Sequence, residues 1–257
     1  NNIINNQHTD IVQVEFYPFL KLAPYLPKTI KKIFVHHEIR FIRNERNLKQ
    51  FELNNSDIEY MSQLKTEEIN DLNKFDKIAT LTNVDKDILL TNGVSVPIAV
   101  SPAAVNAKIL PYKGWNNTLV FLGGMGHAPN VEGLKWLSHQ VLPLIDWQGK
   151  FHNVCLNIIG KGWNKEIIAG IPEHNVCLKG FVPQLEEAAY GGIMIVPILS
   201  GSGKRMKILE AAALGMPIIS TSVGIEGINM THGESCIIAD KPDEFAQGLI
   251  KLMTDNQ

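Results

Sequence analysis

The 257-residue sequence predicts an α/β protein made of two Rossmann-like parallel-sheet domains. Three observations predict it. Short apolar runs alternate with helical patterns along the chain, and that alternation implies parallel sheets covered by helices. A stretch without periodicity, Ser101 to Trp115, contains Pro102, Pro111 and Gly114 and divides the chain. Beyond it, glycine turns follow apolar runs at Gly123-Gly124, Gly160-Lys161-Gly162, Gly180 and Gly201-Ser202-Gly203. Ligand loops occupy such positions in open α/β sheets. The domain boundaries fall at 1–108, a 109–117 linker, and 118–257.

Taken in order, Asn1 to Gln7 is an asparagine-rich end, and Asp10 to Phe16 alternates as a strand. Pro18 to Leu26 is a proline-bounded helical or irregular piece, and Lys32 to Val35 is a second strand running into His36-His37-Glu38. Helical spacing follows at Ile39, Ile42 and Arg46, and a longer helix over Ile58 to Phe75 carries Met61, Leu64, Ile69, Leu72 and Phe75. Asp76 to Leu81 is a strand, Asn83 or Asp85 caps a helix over Ile88 to Leu90, and Val94 to Val100 is a short strand. In the second part, Thr118 to Leu122 enters the turn Gly123 to His127. The dinucleotide fingerprint fails there because Pro129 stands at its last glycine, whereas proline suits the first turn of a helix lined by Val131, Leu134, Leu137 and Val141. Strands follow at Val154 to Ile159, Asn175 to Leu178 and Cys236 to Ala239, and a helix from Asp243 to Met253 closes the chain.

The stretch from Gly192 to Thr221 carries the chemistry. Gly192 to Val196 is a buried strand. Gly201 and Gly203 let the next loop turn sharply and approach a ligand. A helix begins near Lys204, with Met206, Leu209 and Ala213 facing the core, and Gly215 with Pro217 stops it. Lys204, Arg205 and Lys207 crowd the positive end of that helix, where an anion is favoured. A phosphate or diphosphate fits. Glu210 shares a face with Lys207 and is placed to accept from sugar hydroxyls; a solvated Lys207–Glu210 pair is the alternative.

Composition narrows the partners. The chain is 45% hydrophobic and 19% charged, ordinary for a soluble globular protein, and its net charge of -2 provides no field for nucleic acid. No apolar run is long enough to span a bilayer; peripheral contact with a membrane is left open. No signal peptide is visible, and the sequence opens on Asn1. Cys155, Cys177 and Cys236 sit in apolar runs, as buried thiols do in a reducing compartment, so a cytoplasmic location is expected. Their spacing does not resemble a zinc site, and no metal is expected.

The segment Gly201 to Thr221 resembles the donor site of the GT-B glycosyltransferases, in the large retaining family (family 4-like, glycosyl transferases group 1) that includes sucrose synthases and many bacterial sugar transferases. Phe121-Leu122-Gly123-Gly124, Pro129-Asn130-Val131, Ile158 to Gly162, Gly180-Phe181-Val182 and Val196-Pro197 follow in family order, so the resemblance covers about 140 residues. Many relatives carry two glutamates eight positions apart; Glu210 is the second, and Ser202 occupies the first. The first part of the chain resembles the second half of the family's N-terminal domain, and nothing matches the glycine loop that opens it.

The resemblance implies a nucleotide-diphosphate-sugar donor and a glycan, lipid or small-molecule acceptor, with retention, no metal and no cofactor. It places the diphosphate against Gly201, Ser202, Gly203 and Lys204, with Arg205 and Lys207 meeting the charge of the leaving group. Glu210 would hold the ribose, Gly124 and His127 would border the diphosphate, and Gly180, Phe181 and Val182 would hold the base. His37, in Val35-His36-His37-Glu38-Ile39, matches a family histidine that contacts the transferred sugar or its phosphate. Structural readings stand beside these: loop histidines bonded to backbone, a core Phe181, a solvent-facing His127, and Lys161 as an ordinary loop lysine. The alternatives for the whole are a non-catalytic nucleotide-sugar-binding module and a GT-B sugar-nucleotide epimerase.

Overall fold

The computed structural model describes residues 8–48, 53–106, 114–168, 170–201 and 205–255. The chain divides into two compact units, Asn1–Ala103 with Ser200–Lys204, and Ala104–Leu199 with Arg205–Gln257.

The first unit is a four-stranded parallel sheet in sequential order, β1 (Ile11–Glu15), β2 (Lys31–His36), β3 (Lys77–Thr80) and β4 (Ile98–Val100). The order runs one way, with no reversal among the described strands. A 3₁₀ segment, Tyr17–Tyr25, joins β1 to β2. Helices α1 (Arg40–Leu48) and α2 (Asn55–Leu72) join β2 to β3, and α3 (Asn83–Thr91) joins β3 to β4. Helix α2 starts ahead of the predicted Ile58 because Asn54 and Asp57 form a reciprocal capping box. Its apolar stripe is buried only toward the C-terminal end: Leu72 and the following Phe75 are buried, whereas Ile58 is 54% exposed. Thr82, not Asn83 or Asp85, caps α3; its hydroxyl accepts from the Asp85 backbone N–H and donates to the Asp85 carboxylate.

A buried carboxylate organises this unit. Glu68, 2% exposed, accepts from the backbone N–H groups of Arg40 and Phe41 at 3.1 and 3.0 Å. It thereby satisfies the orphan donors at the start of α1 and complements that helix's dipole. The buried His36 places Nε2 3.4 Å from the same carboxylate.

The second unit is a six-stranded, wholly parallel sheet. Its strands are β5 (Thr118–Leu122), β6 (Cys155–Ile159), β7 (Val176–Gly180), β8 (Ile193–Val196), β9 (Ile218–Ser220) and β10 (Ile237–Ile238), in the spatial order β10-β9-β8-β5-β6-β7. The order reverses between β5 and β8. That is the topological switch point of a doubly wound sheet, where ligands bind beyond the carboxyl ends of the strands. The connecting helices are α4 (Ala128–Trp136), α5 (Leu185–Ala189), α6 (Met206–Ala213) and α7 (Pro242–Asp255). Successive residues of β5 serve opposite faces: Leu119 and Phe121 pack with Leu134, Trp136 and Phe245, and Val120 packs with Met194 and Ile208.

Helix α6 presents a different face from the one predicted. Ile208, Ala211 and Leu214 are buried, whereas Met206 is 37% exposed and Leu209 and Ala213 are half-buried. Small alanines on several sides make the apolar stripe of this short helix ambiguous in sequence. Gly215, with φ of 68°, ends the helix in the left-handed region, as the Gly-Met-Pro stop predicts.

Replacing Glu68 by Ala strands two backbone donors in the interior. The Glu68→Ala chain is expected to lose about 2 kcal/mol of stability in urea unfolding, with Glu68→Gln losing less because it keeps an acceptor oxygen.

Candidate functional site

At the carboxyl ends of β5, β6 and β7 the backbone is drawn together by glycine. Gly123 N–H donates to the Ile159 carbonyl at 2.8 Å, and Gly160 N–H donates to the Gly180 carbonyl at 2.7 Å. At Gly160, with φ of 142°, a Cβ would lie 2.3 Å from the Gly123 carbonyl oxygen, so a side chain there would force the two turns apart. Trp163 Nε1 donates to that same Gly123 carbonyl at 2.6 Å and fixes its direction.

Asn130 and Lys207 complete the floor. The 6%-exposed Asn130 donates from Nδ2 to the Gly124 carbonyl at 3.0 Å. Its Oδ1 accepts from Lys207 Nζ at 3.0 Å. The same ammonium lies 5.4 Å from the centroid of the Phe121 ring. Helix α6, helix α4 and the turn after β5 are therefore linked through one cation. Burial pushes Lys207 down to about 7, Arg205 adds to the fall, and Glu210 opposes it. The solvated Lys207–Glu210 pair is not what forms: Lys207 turns inward to Asn130.

Over this floor opens a cleft of about 740 Å³, lined among others by Gly123, Gly124, Gly160, Phe181, Val182 and Glu210. That volume suits a nucleotide-sized ligand. Phe181 is 68% exposed, so it is a surface platform and not core; Lys161 Nζ lies 5.3 Å from its ring centroid. The cleft thus joins a flat aromatic surface, a carboxylate and glycine backbone.

Of the predicted residues, Gly124, Phe181, Val182 and Glu210 share the cleft wall. Gly180, with φ of 64°, ends β7 beside it. His127 is the N-cap residue of α4, with no side-chain capping bond. Arg205 is the N-cap residue of α6, just ahead of the first turn where the sequence suggests it. Gly201 belongs to the first unit, where its carbonyl accepts from Arg46 Nη1 at 2.6 Å, and His37 belongs to that unit as well. Ser202, Gly203 and Lys204 lie outside the described residues. Asn130, within the Pro129-Asn130-Val131 motif, has a role that its sequence neighbourhood does not reveal. A lone asparagine beside a proline reads as a turn, and its partners are six and 77 positions away. Val105 and Asn106 also line the cleft without having been singled out. No cluster of three or more His, Cys, Asp or Glu side chains placed to hold a metal occurs among the described residues, and none of the described helices is long and apolar enough to cross a membrane.

The Lys207 environment makes a stability prediction with a definite sign. Its folded value of about 7 lies below the ordinary 10.5. Between those values the unfolded chain binds more protons, so this group's penalty is full below about pH 7 and fades as pH rises toward 10.5. Lys207→Met is expected to melt above the parent chain at about pH 6, with the gap closing toward about pH 10, in paired thermal melts.

Residues 116–255 match the family model described as glycosyl transferases group 1. The "uncharacterized 44.6 kDa protein in cps region" of Klebsiella pneumoniae is 31% identical over 144 residues, covering 52% of this chain and 37% of that protein. Among solved structures, the S. aureus protein TarM superposes with a TM-score of 0.69 at 15% identity, over 96% of this chain and 48% of its own. Sucrose-phosphate synthase of Thermosynechococcus elongatus reaches 0.72 at 14% identity, over 96% of this chain and 65% of its own. Anabaena Alr3699/HepE, solved with UDP and glucose, reaches 0.72 at 12% identity, over 96% and 68%. The chain spans 37% of its curated relative and about half of TarM. Both parallel-sheet units follow the GT-B pattern of these structures, and the family match covers more than half of the sequence. The chain belongs to the glycosyl transferases group 1 family.

Proposed function

We propose that this chain carries the donor-binding half of a sugar transferase that takes a nucleotide-diphosphate sugar. The observation that carries the reading is the half-buried, desolvated Lys207 amine, held by Asn130 against the glycine turn at the switch point of the six-stranded sheet. A lysine desolvated against its own preference is explained by an anion that completes it. Structurally similar proteins support a diphosphate as that anion: HepE was solved with UDP and glucose, and TarM with UDP.

In this reading the diphosphate lies against Gly124 and the start of α6. Arg205 and Lys207 meet the negative charge that grows on the diphosphate as its bond to the sugar breaks. Positioned cations do this without reorganising at the moment of reaction. Glu210 accepts from the ribose hydroxyls, and the base stacks over Phe181 beside Val182, with Gly180 shaping the turn. His127 borders the diphosphate, and Gly201, Ser202, Gly203 and Lys204 continue its cradle. Retention follows the family, as does transfer to a hydroxyl of a glycan, lipid or small molecule, with neither metal nor cofactor and in the cytoplasm. His37 contacts the carbohydrate.

Calorimetric titration with UDP, GDP, ADP and dTDP tests the reading. One nucleotide is expected to bind saturably. Glu210→Ala is expected to weaken it ~10–100-fold, the value of a hydrogen bond to a charged group. Phe181→Ala is expected to weaken it roughly fivefold through lost stacking. A folded chain that binds none of the four contradicts the proposal.

A further inference from the structure

His37 stands just past β2 in the first unit, and its surroundings define its chemistry. Its Nε2 lies 3.0 Å from Glu15 Oε2 at the end of β1, and both side chains remain about one-third exposed, at 34% and 39%. The strands that carry them are paired in parallel, with Glu15 opposite Val35. Phe16 stacks on the imidazole at 4.7 Å between centroids and 13° between planes. To do so it adopts φ of 66° and ψ of 138°, and it is one of two non-glycine residues with positive φ among the described residues. A bulky residue is rarely found there, and such strain persists only where the surroundings over-determine it. Gln13 Nε2 donates to the other Glu15 oxygen. The ring is thus held by a stack on one face and a carboxylate at one nitrogen.

We propose that Glu15 is a positioning residue that fixes the neutral form of His37 with its proton on Nε2, so that in this form Nδ1 accepts from a carbohydrate hydroxyl and not from a phosphate. An ionised carboxylate only accepts, so the neutral ring must donate from Nε2. Hydrogen bonds from Gln13 and from His37 hold the Glu15 carboxyl below its ordinary value, so it is ionised at neutral pH. The neutral ring's remaining nitrogen has a lone pair and no proton. A hydroxyl can donate to it; a phosphate oxygen cannot, and the Glu15 charge repels it. This deepens the sugar-transfer reading: of the sugar and the phosphate, it assigns His37 to the sugar.

The test is long-range ¹H–¹⁵N NMR of the whole chain at about pH 8, with the His37 signals identified by His37→Gln. The parent chain is expected to show one tautomer, protonated at Nε2. Glu15→Ala is expected to relax it to the mixed state of a free imidazole, and Glu15→Gln, which keeps an acceptor oxygen, to restore it. A ring protonated at Nδ1, or a tautomer indifferent to Glu15→Ala, overturns the positioning role. These readouts need no nucleotide, so they stand apart from failure of the donor site. Ligand arms then compare pyrophosphate, UDP, UDP-glucose, UDP-N-acetylglucosamine, GDP-mannose and methyl α-glucoside. A shift of Nδ1 with a sugar nucleotide but not with UDP supports the hydroxyl assignment through the donor, and a shift with methyl α-glucoside supports it through the acceptor. An equal shift with pyrophosphate or UDP, or none with any sugar, overturns it.

Discussion

One cation ties the donor unit together. Lys207 leaves α6, donates to the Asn130 side-chain oxygen Oδ1 on α4 and rests over the ring of Phe121 on β5. Asn130 in turn holds the Gly124 carbonyl. Three elements that meet at the sheet's switch point therefore share one polar connection. Apolar side chains would hold the same elements at lower desolvation cost, as comparisons of buried ion pairs with hydrophobic replacements indicate. Keeping a desolvated lysine there sacrifices stability for a positive charge that a bound anion restores, and charge acts strongly where water is scarce.

The rest of the unit serves that geometry. The reversal of strand order brings the turns after β5 and β8 side by side. Glycine backbone on glycine backbone, at Gly123 and Gly160, keeps the crevice floor low enough for a ligand to approach peptide groups. The exposed Phe181 ring and the Glu210 carboxylate then stand on the cleft wall as two different recognition surfaces, one flat and apolar, one charged. The first unit uses the same economy with the opposite sign: buried Glu68 holds the start of α1, and exposed Glu15 holds His37.

Much of this was legible in sequence, for reasons that can be named. Strands β5, β6, β8 and β9 are short apolar runs ended by glycine or proline, and a fully buried parallel strand has little choice but to read that way. The Gly201 to Thr221 stretch carries its loop, helix and stop in consecutive residues. What stayed hidden depends on contacts between distant positions. Glu68 reads as a surface carboxylate on a polar helix, yet it caps a helix 28 residues earlier. Glu15 looks like the polar half of a strand alternation, and only the pairing of β1 with β2 brings it to His37. The core face of α6 was misread because alanine marks no side of a helix. Lys207 was recognised as a cation at a helix start, but its inward turn depends on Asn130.

Proton uptake on nucleotide binding tests the central claim most directly. Calorimetry of the parent chain at about pH 8, in buffers of differing ionisation enthalpy, counts the protons taken up. Lys207, at about 7 when free, is mostly neutral there, and a bound diphosphate returns it to its charged form. The account predicts uptake of close to one proton per nucleotide, with affinity falling as pH rises above 7. Saturable binding with no net uptake would contradict it, because the diphosphate would then have bound without engaging Lys207.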